Sequence, residues 1–456
     1  EWKTLLVERR FSKLPAEYEP ENNGENNSYD DTRSNFEKDY DRIIFSSSFR
    51  RLGKKTQVHP LSKNDHVHSR LSHSLETASI GRSLGFKVAE NENKLLSEYS
   101  INKINRHDMA TIVQAACLAH DIGNPPFGHA GEEAIREWFK ENNEEVLENF
   151  SEEERNDFLY WEGNAQAFRV LTQIEHHLFH GGMRLTCPVL GAMMKYPWTS
   201  INRNEKNKYG CFWEERELMA SLCTELGMRK IPGRNYQWAR HPLAFLTEAA
   251  DDICYRVLDI EDAHELKIIS FEEAKDLFLC IIEASRENQQ TYIDKYLKDN
   301  NFSLRRKMSY LRALALNEGV NEIVRVFNVY RDEIMTGDFQ STLIEHFRTD
   351  LKKMFDEMNK LSRERVFKEK RKVELEIGAY SVMATLLDNF CRAAREVTRG
   401  GRQSFKTARI CDLMGENVLK KDNSTYQSYL RVMDYIAGMT DDYATYIANQ
   451  LNGSGL

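Results

Sequence analysis

The segment HDIGNPPFGHAGEE, residues 120–133, places acid–base side chains around a turn. His120 and Asp121 are adjacent, so on a regular helix their side chains would point about 100° apart. They can face one point only where the helix ends, and Gly123 and Pro125 predict such an end. A histidine and an aspartate together suit a divalent metal, but two ligands are too few, so others must come from elsewhere.

Two further residues are candidates for the missing ligands. His73 lies in RLSHSLE, and Asp251 lies within the apolar helical pattern FLTEAADDICYRVLDIEDA. A charged residue on so apolar a helix is costly to bury unless it meets a cation or hydrogen-bond donors. Taken alone, His73 could be an ordinary surface or core histidine, and Asp251 a solvated aspartate. Together the candidates form a four-ligand set of nitrogen and oxygen donors: His73, His120, Asp121 and Asp251.

The turn is followed by a second pair of chemically useful residues. His129 and Glu132 are three positions apart, so they share one face of a helix that starts after Gly128. A histidine held by a carboxylate beside a metal can act as a general acid or a general base. The alternative for Glu132 is a solvated glutamate in the first helical turn.

Helical periodicity dominates the elements that must position these residues. Asp108 is a plausible N-cap for a helix over 108–121. Convincing alternating strands are nearly absent, and the best candidate is a short hairpin around 52–61. The sequence therefore predicts an all-α, mostly helical fold with one large core, at most one short β-hairpin, and these further helices: 73–90, 242–266, 271–299, 318–335, 340–361, 372–398 and 425–451.

The composition excludes several classes of protein. The chain has 456 residues and a formal charge of −8, from 63 basic and 71 acidic residues, so there is no global electrostatic case for binding nucleic acid or membranes. Its eight cysteines form no CxxC pair and are expected to be reduced thiols. We see no signal peptide and no apolar run near eighteen residues, which predicts a cytoplasmic protein. The basic segments 363–372 and 392–409 could bind single-stranded DNA or an allosteric nucleotide, although solvated helix faces are the favoured alternative.

The chain resembles the HD superfamily of metal-dependent phosphohydrolases, through His73, the His120-Asp121 pair and the distant Asp251. It looks more closely like the bacterial deoxyguanosine triphosphate triphosphohydrolases. Asn124 after HDIG also matches that closer family. The resemblance rests on strings spread over nearly the whole chain: RRLGKKTQV, RLSHSLE, AHDIGNPPFGHAGEEAI, EGNAQAFR, EAADDICY and YIAGMTDDYA.

The resemblance implies a helical HD-domain fold and a dNTP triphosphohydrolase. Such an enzyme cleaves a dNTP, with dGTP favoured, to the deoxynucleoside and tripolyphosphate through attack of a metal-associated water on the α-phosphorus. It implies that His73, His120, Asp121 and Asp251 hold Mn²⁺ or Mg²⁺. His129 would be the acid–base residue beside the scissile bond, and Glu132 would orient it.

The resemblance also implies contacts for each part of the nucleotide. The phosphate contacts would be Arg70, Asn164, Lys195 and Tyr196. The sugar contacts would be Gln57, Tyr255 and Asp259, with the Tyr255 ring placed where a ribose 2′-hydroxyl would lie. The base contacts would be Val58, Glu376 and Arg409, the arginine coming from a neighbouring subunit. Without the resemblance, Lys195 could be a surface lysine, Asn164 a cap, Arg70 a partner of a nearby acid and Tyr255 core packing.

We expect one HD-type domain over 1–456, with a catalytic core at about 40–270 and a C-terminal helical lobe at about 271–456. The lobe would contribute to the base site and to a homo-oligomer, from dimer to hexamer. Two alternatives remain open from the sequence. One is an HD-type nucleotide phosphatase or guanosine tetraphosphate hydrolase, and the other is a non-catalytic protein that binds nucleotides or single-stranded DNA.

Overall fold

The computed structural model describes residues 2–11, 33–57, 66–91, 105–175, 182–283, 290–400, 402–415 and 419–454. Within these ranges the chain is helical and contains isolated β-bridges but no strand, which confirms the all-α prediction. None of the helices in the described part is long and apolar enough to cross a membrane.

The first half of the chain supplies the helices around the His120-Asp121 segment. They are α1 (Trp2–Leu5), α2 (Asn35–Phe45), α3 (Ser47–Arg51), α4 (Arg70–Asn91), α5 (Arg106–Ala119), α6 (Gly128–Glu141), α7 (Asn143–Val146), α8 (Glu152–Leu159), α9 (Gly163–Arg169), α10 (Cys187–Met193), α11 (Arg216–Glu225) and α12 (Pro242–Glu265).

The second half continues with nine helices in the described ranges. They are α13 (Phe271–Glu283), α14 (Gln290–Lys298), α15 (Leu304–Val329), α16 (Arg331–Thr336), α17 (Thr349–Leu361), α18 (Lys370–Arg399), α19 (Phe405–Met414), α20 (Thr425–Ala437) and α21 (Asp441–Leu451).

The following sequence predictions need correction. The predicted helix 340–361 begins only at Thr349, as α17, and Ile344–His346 before it is a 3₁₀ turn. The hairpin is wrong in its described part: Leu52–Lys54 is a 3₁₀ turn, and the Thr56 N–H bonds to the Asp441 side chain instead of to a hairpin partner. Residues 58–61 lie outside the described residues. The N-cap of α5 is Asn105, because its side chain accepts from the Asp108 N–H while the Asp108 carboxylate accepts from the Asn105 N–H.

The other two corrections concern helix continuity. The predicted helix 425–451 is two helices, since α20 ends at Ala437 and Thr440 caps α21 by accepting from the Tyr443 N–H. The predicted helix 318–335 covers parts of two helices. The first, α15, begins at Leu304 with Ser303 as its N-cap and ends at Val329, and the second is α16.

Close packing of α4 against α5 brings His73, in the first turn of α4, to the C-terminal end of α5. Gly85 makes this approach possible, because a Cβ atom there would lie only 2.9 Å from the Ala110 Cα. Helix α12 packs on the same pair and is buried along most of its length.

The buried apolar residues form two clusters. The first surrounds α4, α5 and α12 and includes apolar side chains from 269–366. The second joins α6 and α8 to α18, α20 and α21. Residues after 268 therefore pack both with α5, which ends just before His120, and with α6, which carries His129. The division of the chain into a core and a lobe near residue 270 stays a prediction.

Candidate active site

Three helices bring together the four residues proposed as ligands. His73 lies in the first turn of α4, His120 and Asp121 follow the last turn of α5, and Asp251 lies in the middle of α12. The ligand-capable atoms of His73, His120 and Asp121 lie within 4.8 Å of one another. The Asp251 Oδ1 lies 3.0 Å from the His73 Nε2 and 3.3 Å from the His120 Nε2.

The surroundings orient this cluster for a cation. His120 Nδ1 lies 2.6 Å from the Cys117 carbonyl oxygen, which can only accept, so Nδ1 carries the hydrogen and Nε2 faces the cluster. The Asp121 carboxylate accepts from the Arg70 Nη1 at 2.8 Å and from the Asn124 Nδ2 at 2.5 Å. Two imidazoles and two carboxylates converging in this way fit a divalent metal ion.

Both carboxylates are held in the ionised form that ligation requires. Burial alone would raise the pKa of Asp121, but the charges of Arg70 and His120 lower that pKa to about 2. Burial likewise opposes ionisation of Asp251, yet Lys195 and His120 hold its pKa well below the usual range. The Lys195 Nζ donates to the Asp251 Oδ2 at 2.6 Å, so the predicted phosphate contact lies directly beside the cluster.

The second predicted pair is positioned by the turn that precedes α6. Phe127 and Gly128 both have left-handed backbone angles, with φ of 64° and 56°. A Cβ atom on residue 128 would also lie 2.6 Å from the Arg70 Nη2, so the backbone angle and the nearby guanidinium both favour glycine there. His129 follows, with its Nδ1 3.5 Å from the Glu132 Oε2.

Glu132 is buried and ionised, which suits it to hold a histidine. Burial would raise its pKa, but Lys208, the hydrogen bond with His129 and Arg136 lower it to about 2. The Gly163 N–H donates to the Glu132 Oε1 at 2.9 Å and fixes the carboxylate plane. The His129 side chain is 77% exposed and therefore open to a ligand.

Sequence reasoning missed Lys208 and Glu162. Lys208 lies 3.7 Å from the Glu132 Oε2 and forms a closer ion pair with the buried Glu162. Its surrounding segment, TSINRNEKNKYGCF, is typical of a surface loop, yet Tyr209 is fully buried. The side chain of Asn164, predicted to contact phosphate, donates to the Glu162 Oε2 at 2.8 Å.

A cavity of about 540 Å³ opens beside the cluster. Four predicted substrate contacts line it together with Asp121, Asp251 and the predicted acid–base residue His129: Gln57, Arg70, Tyr255 and Glu376. Buried polar atoms with no partner in the described part of the chain include the Gln57 Oε1 and the Arg70 Nε, as expected for groups that meet a ligand.

The cavity wall also contains Asp252, Phe367 and Lys372, which sequence reasoning did not identify. The Lys372 Nζ lies 2.7 Å from the Glu376 Oε1 and 4.9 Å from the centre of the Phe367 ring. The Phe367 ring lies 6.2 Å from that of Tyr255. Helix α18 thus brings a charged pair to the cavity, and Phe367, just before that helix, adds an aromatic ring beside Tyr255 of α12.

Six predicted substrate contacts are not among the described residues that line the cavity; one of them is Lys195, which donates to Asp251 in the ligand cluster. The Tyr196 ring lies near that of Trp198, with ring centres 5.4 Å apart, and Asn164 donates its backbone N–H and its side-chain amide to Glu162, the N-cap of α9. Asp259 lies two turns beyond Asp251; it is buried with an unpartnered Oδ2, and burial raises its pKa well above the usual range. Arg409 is exposed on α19 and pairs with Asp412 at 3.0 Å. Val58 lies outside the described residues.

Comparison with known proteins adds independent information. The family model for the HD domain matches residues 70–206. A protein of Pseudomonas aeruginosa named deoxyguanosinetriphosphate triphosphohydrolase-like protein is 44% identical, with 99% of each chain covered. A protein of the same name from Synechocystis is 36% identical over the whole of both chains. The deoxyguanosinetriphosphate triphosphohydrolase of Klebsiella pneumoniae is 31% identical, with 90% of this chain and 92% of that protein covered.

Proposed function

Because the chain belongs to the family of deoxyguanosinetriphosphate triphosphohydrolases and triphosphohydrolase-like proteins, we propose that it is a metal-dependent dNTP triphosphohydrolase. Its proposed reaction converts dGTP and water into deoxyguanosine and tripolyphosphate. The observation that carries the proposal is the convergence of His73, His120, Asp121 and Asp251 beside a cavity that also receives His129 and Tyr255.

The proposed mechanism assigns the charged residues to the triphosphate. A bound Mn²⁺ or Mg²⁺ would lower the pKa of a coordinated water and screen phosphate charge. Arg70 and Lys195 place two cationic groups next to Asp121 and Asp251, where they would also stabilise charge on the phosphate oxygens. Tyr196 and Asn164 would add phosphate contacts when substrate is bound.

His129 would transfer the proton that the leaving group needs. In the reaction the water oxygen bonds to the α-phosphorus and the bond from that phosphorus to the deoxyribose O5′ breaks. His129 would protonate this oxygen, and Glu132 would hold the imidazole in position. The exposure of His129 and the burial of Glu132 suit these roles, since one must reach substrate and the other must stay fixed.

The remaining contacts would select the nucleoside. The Tyr255 ring would occupy the space of a ribose 2′-hydroxyl, with Gln57 and Asp259 as further sugar contacts. Glu376 and Val58 would contact the base, and Arg409 would reach the base site of a neighbouring subunit. This assignment needs a homo-oligomer, to which the C-terminal lobe would contribute within a single HD-type domain.

The test is a product assay. The protein is incubated with each dNTP and Mn²⁺, and the products are separated by ion-exchange chromatography. Deoxynucleoside plus tripolyphosphate is the expected result, with dGTP turned over fastest. Release of orthophosphate or pyrophosphate would instead indicate a nucleotide phosphatase or a guanosine tetraphosphate hydrolase, and a metal-loaded protein without turnover of any dNTP would contradict the proposal.

A further inference from the structure

A buried carboxylate from the C-terminal helix joins two turns that line the cavity. Asp441 is the first residue of α21, and its side chain is buried. Its Oδ1 accepts from the Phe127 N–H at 2.8 Å. Its Oδ2 accepts from the Thr56 N–H at 3.0 Å and also from the Thr56 hydroxyl. One side chain therefore spans a sequence separation of more than 300 residues.

Lys55 makes a second link between the same segments. Its Nζ donates to the Asn124 carbonyl at 2.7 Å and to the Ala437 carbonyl at 2.6 Å. The two carbonyls belong to the turn before α6 and to the end of α20. The end of α20 thus holds the turn over 124–128 through Lys55, and the start of α21 holds it through Asp441.

The two turns carry residues with different proposed tasks. Thr56 precedes Gln57 and forms a β-bridge with Ser69, next to the start of α4. Phe127 precedes the helix that presents His129. Its left-handed backbone is unfavourable for a residue with a side chain, so it persists only where its surroundings stabilise it. The Asp441 bond to the Phe127 N–H supplies that stabilisation.

We propose that Asp441 is a positioning residue for catalysis, which sets the His129 turn against the Gln57 turn. The inference rests on the proposed function. Asp441 touches none of the four proposed metal ligands, so its effect would act through the placement of His129. Small displacements of a reacting group have large effects on rate, because the group must lie within hydrogen-bond reach of the atom it protonates.

The test compares Asp441→Asn with Asp442→Asn. Asp442 is the next residue and is exposed. Its replacement by asparagine removes the same charge as Asp441→Asn but leaves both turns untouched. An asparagine at 441 has the same shape but only one accepting oxygen. Its NH₂ group would therefore face the N–H of either Phe127 or Thr56, and that hydrogen bond would be lost. The measurements are kcat, KM, Mn²⁺ affinity, melting temperature and amide hydrogen exchange over residues 124–130.

We expect Asp441→Asn to lower kcat at least tenfold and to speed amide exchange in the turn by at least tenfold. Its Mn²⁺ affinity should stay within about threefold of the wild type, and Asp442→Asn should match the wild type throughout. Thr56→Val, which removes only the hydroxyl bond, should show a smaller loss of kcat in a protein that folds normally.

Two results would overturn the inference. One is a kcat for Asp441→Asn within twofold of the wild type. The other is a loss of kcat accompanied by an equal loss of Mn²⁺ binding, since Asp441 would then support the whole core and not one turn. Failure of the proposed function is distinguishable, because it appears as no dNTP turnover by the wild type. Amide exchange and Mn²⁺ binding would then still decide whether Asp441 holds the turn, and unchanged exchange in Asp441→Asn would refute it.

Discussion

Replacing His129 by alanine should separate catalysis from folding. The imidazole is 77% exposed, and its 3.5 Å contact with Glu132 is a solvent-screened pair, so its removal should change the free energy of unfolding by less than about 1 kcal/mol. A general acid contributes roughly 10²- to 10⁴-fold to the rate. At about 1.4 kcal/mol per decade, that corresponds to about 3 to 6 kcal/mol of transition-state stabilisation.

Glu132→Gln provides the companion measurement, because this carboxylate is buried. Its pKa falls from 4.5 to about 2, which favours the ionised form by roughly 3 kcal/mol. The folded-state pKa is lowered, so this stability is present above about pH 4.5 and is lost as the pH falls towards 2. The melting temperature of Glu132→Gln should therefore be lower than that of the wild type at pH 7, and the difference between the two should become smaller at acidic pH. The half-exposed Glu133, mutated to Gln, is the matched control.

The assay is steady-state release of tripolyphosphate from dGTP with saturating Mn²⁺, alongside Mn²⁺ titration and thermal unfolding. We expect His129→Ala to retain its melting temperature and metal affinity while kcat falls at least a hundredfold. The same substitution at the exposed His107 should have no effect on kcat. A kcat for His129→Ala within threefold of the wild type would refute the acid–base assignment.

Three further predictions follow from buried and half-buried groups. Asp251→Asn should abolish Mn²⁺ binding and turnover and should lower the melting temperature, because the ammonium of Lys195 loses its counter-charge. Adding Lys195→Met to this variant should restore the melting temperature but not Mn²⁺ binding. Mn²⁺ binding by the single variant Asp251→Asn would disprove the ligand assignment. Tyr255→Ala should raise the ratio of kcat/KM for GTP over dGTP at least tenfold, whereas an unchanged ratio would contradict the sugar contact. Burial raises the pKa of Asp157 from 3.8 to about 7, so its contribution to stability is present below about pH 4 and is lost as the pH rises through 7. The asparagine of Asp157→Asn does not titrate, so the melting temperature of this variant minus that of the wild type should increase between pH 4 and 7. A difference that stays constant over this range would contradict the raised pKa of Asp157.

The sequence by itself determined the fold class and much of the local geometry. Adjacent His120 and Asp121 at a helix end, the Gly/Pro turn and the apolar face of α12 are encoded within a few neighbouring residues, where backbone preferences and helical periodicity act. The same local rules failed where two caps competed: Asp108 has the right residue type, but Asn105 lies three positions earlier and forms the capping box with it.

Only the tertiary structure decided which distant groups complete the site. It places Lys208 near Glu132, Phe367 beside Tyr255, and Asp441 between Thr56 and Phe127. The local pattern predicts a surface loop around Lys208, a solvated basic segment around Phe367 and the interior of a single helix 425–451 around Asp441, and none of these predictions indicates a contact with the cavity. Their partners are tens to hundreds of residues away, so the pairing follows from helix packing and from the need to satisfy every buried charge, neither of which a local pattern encodes.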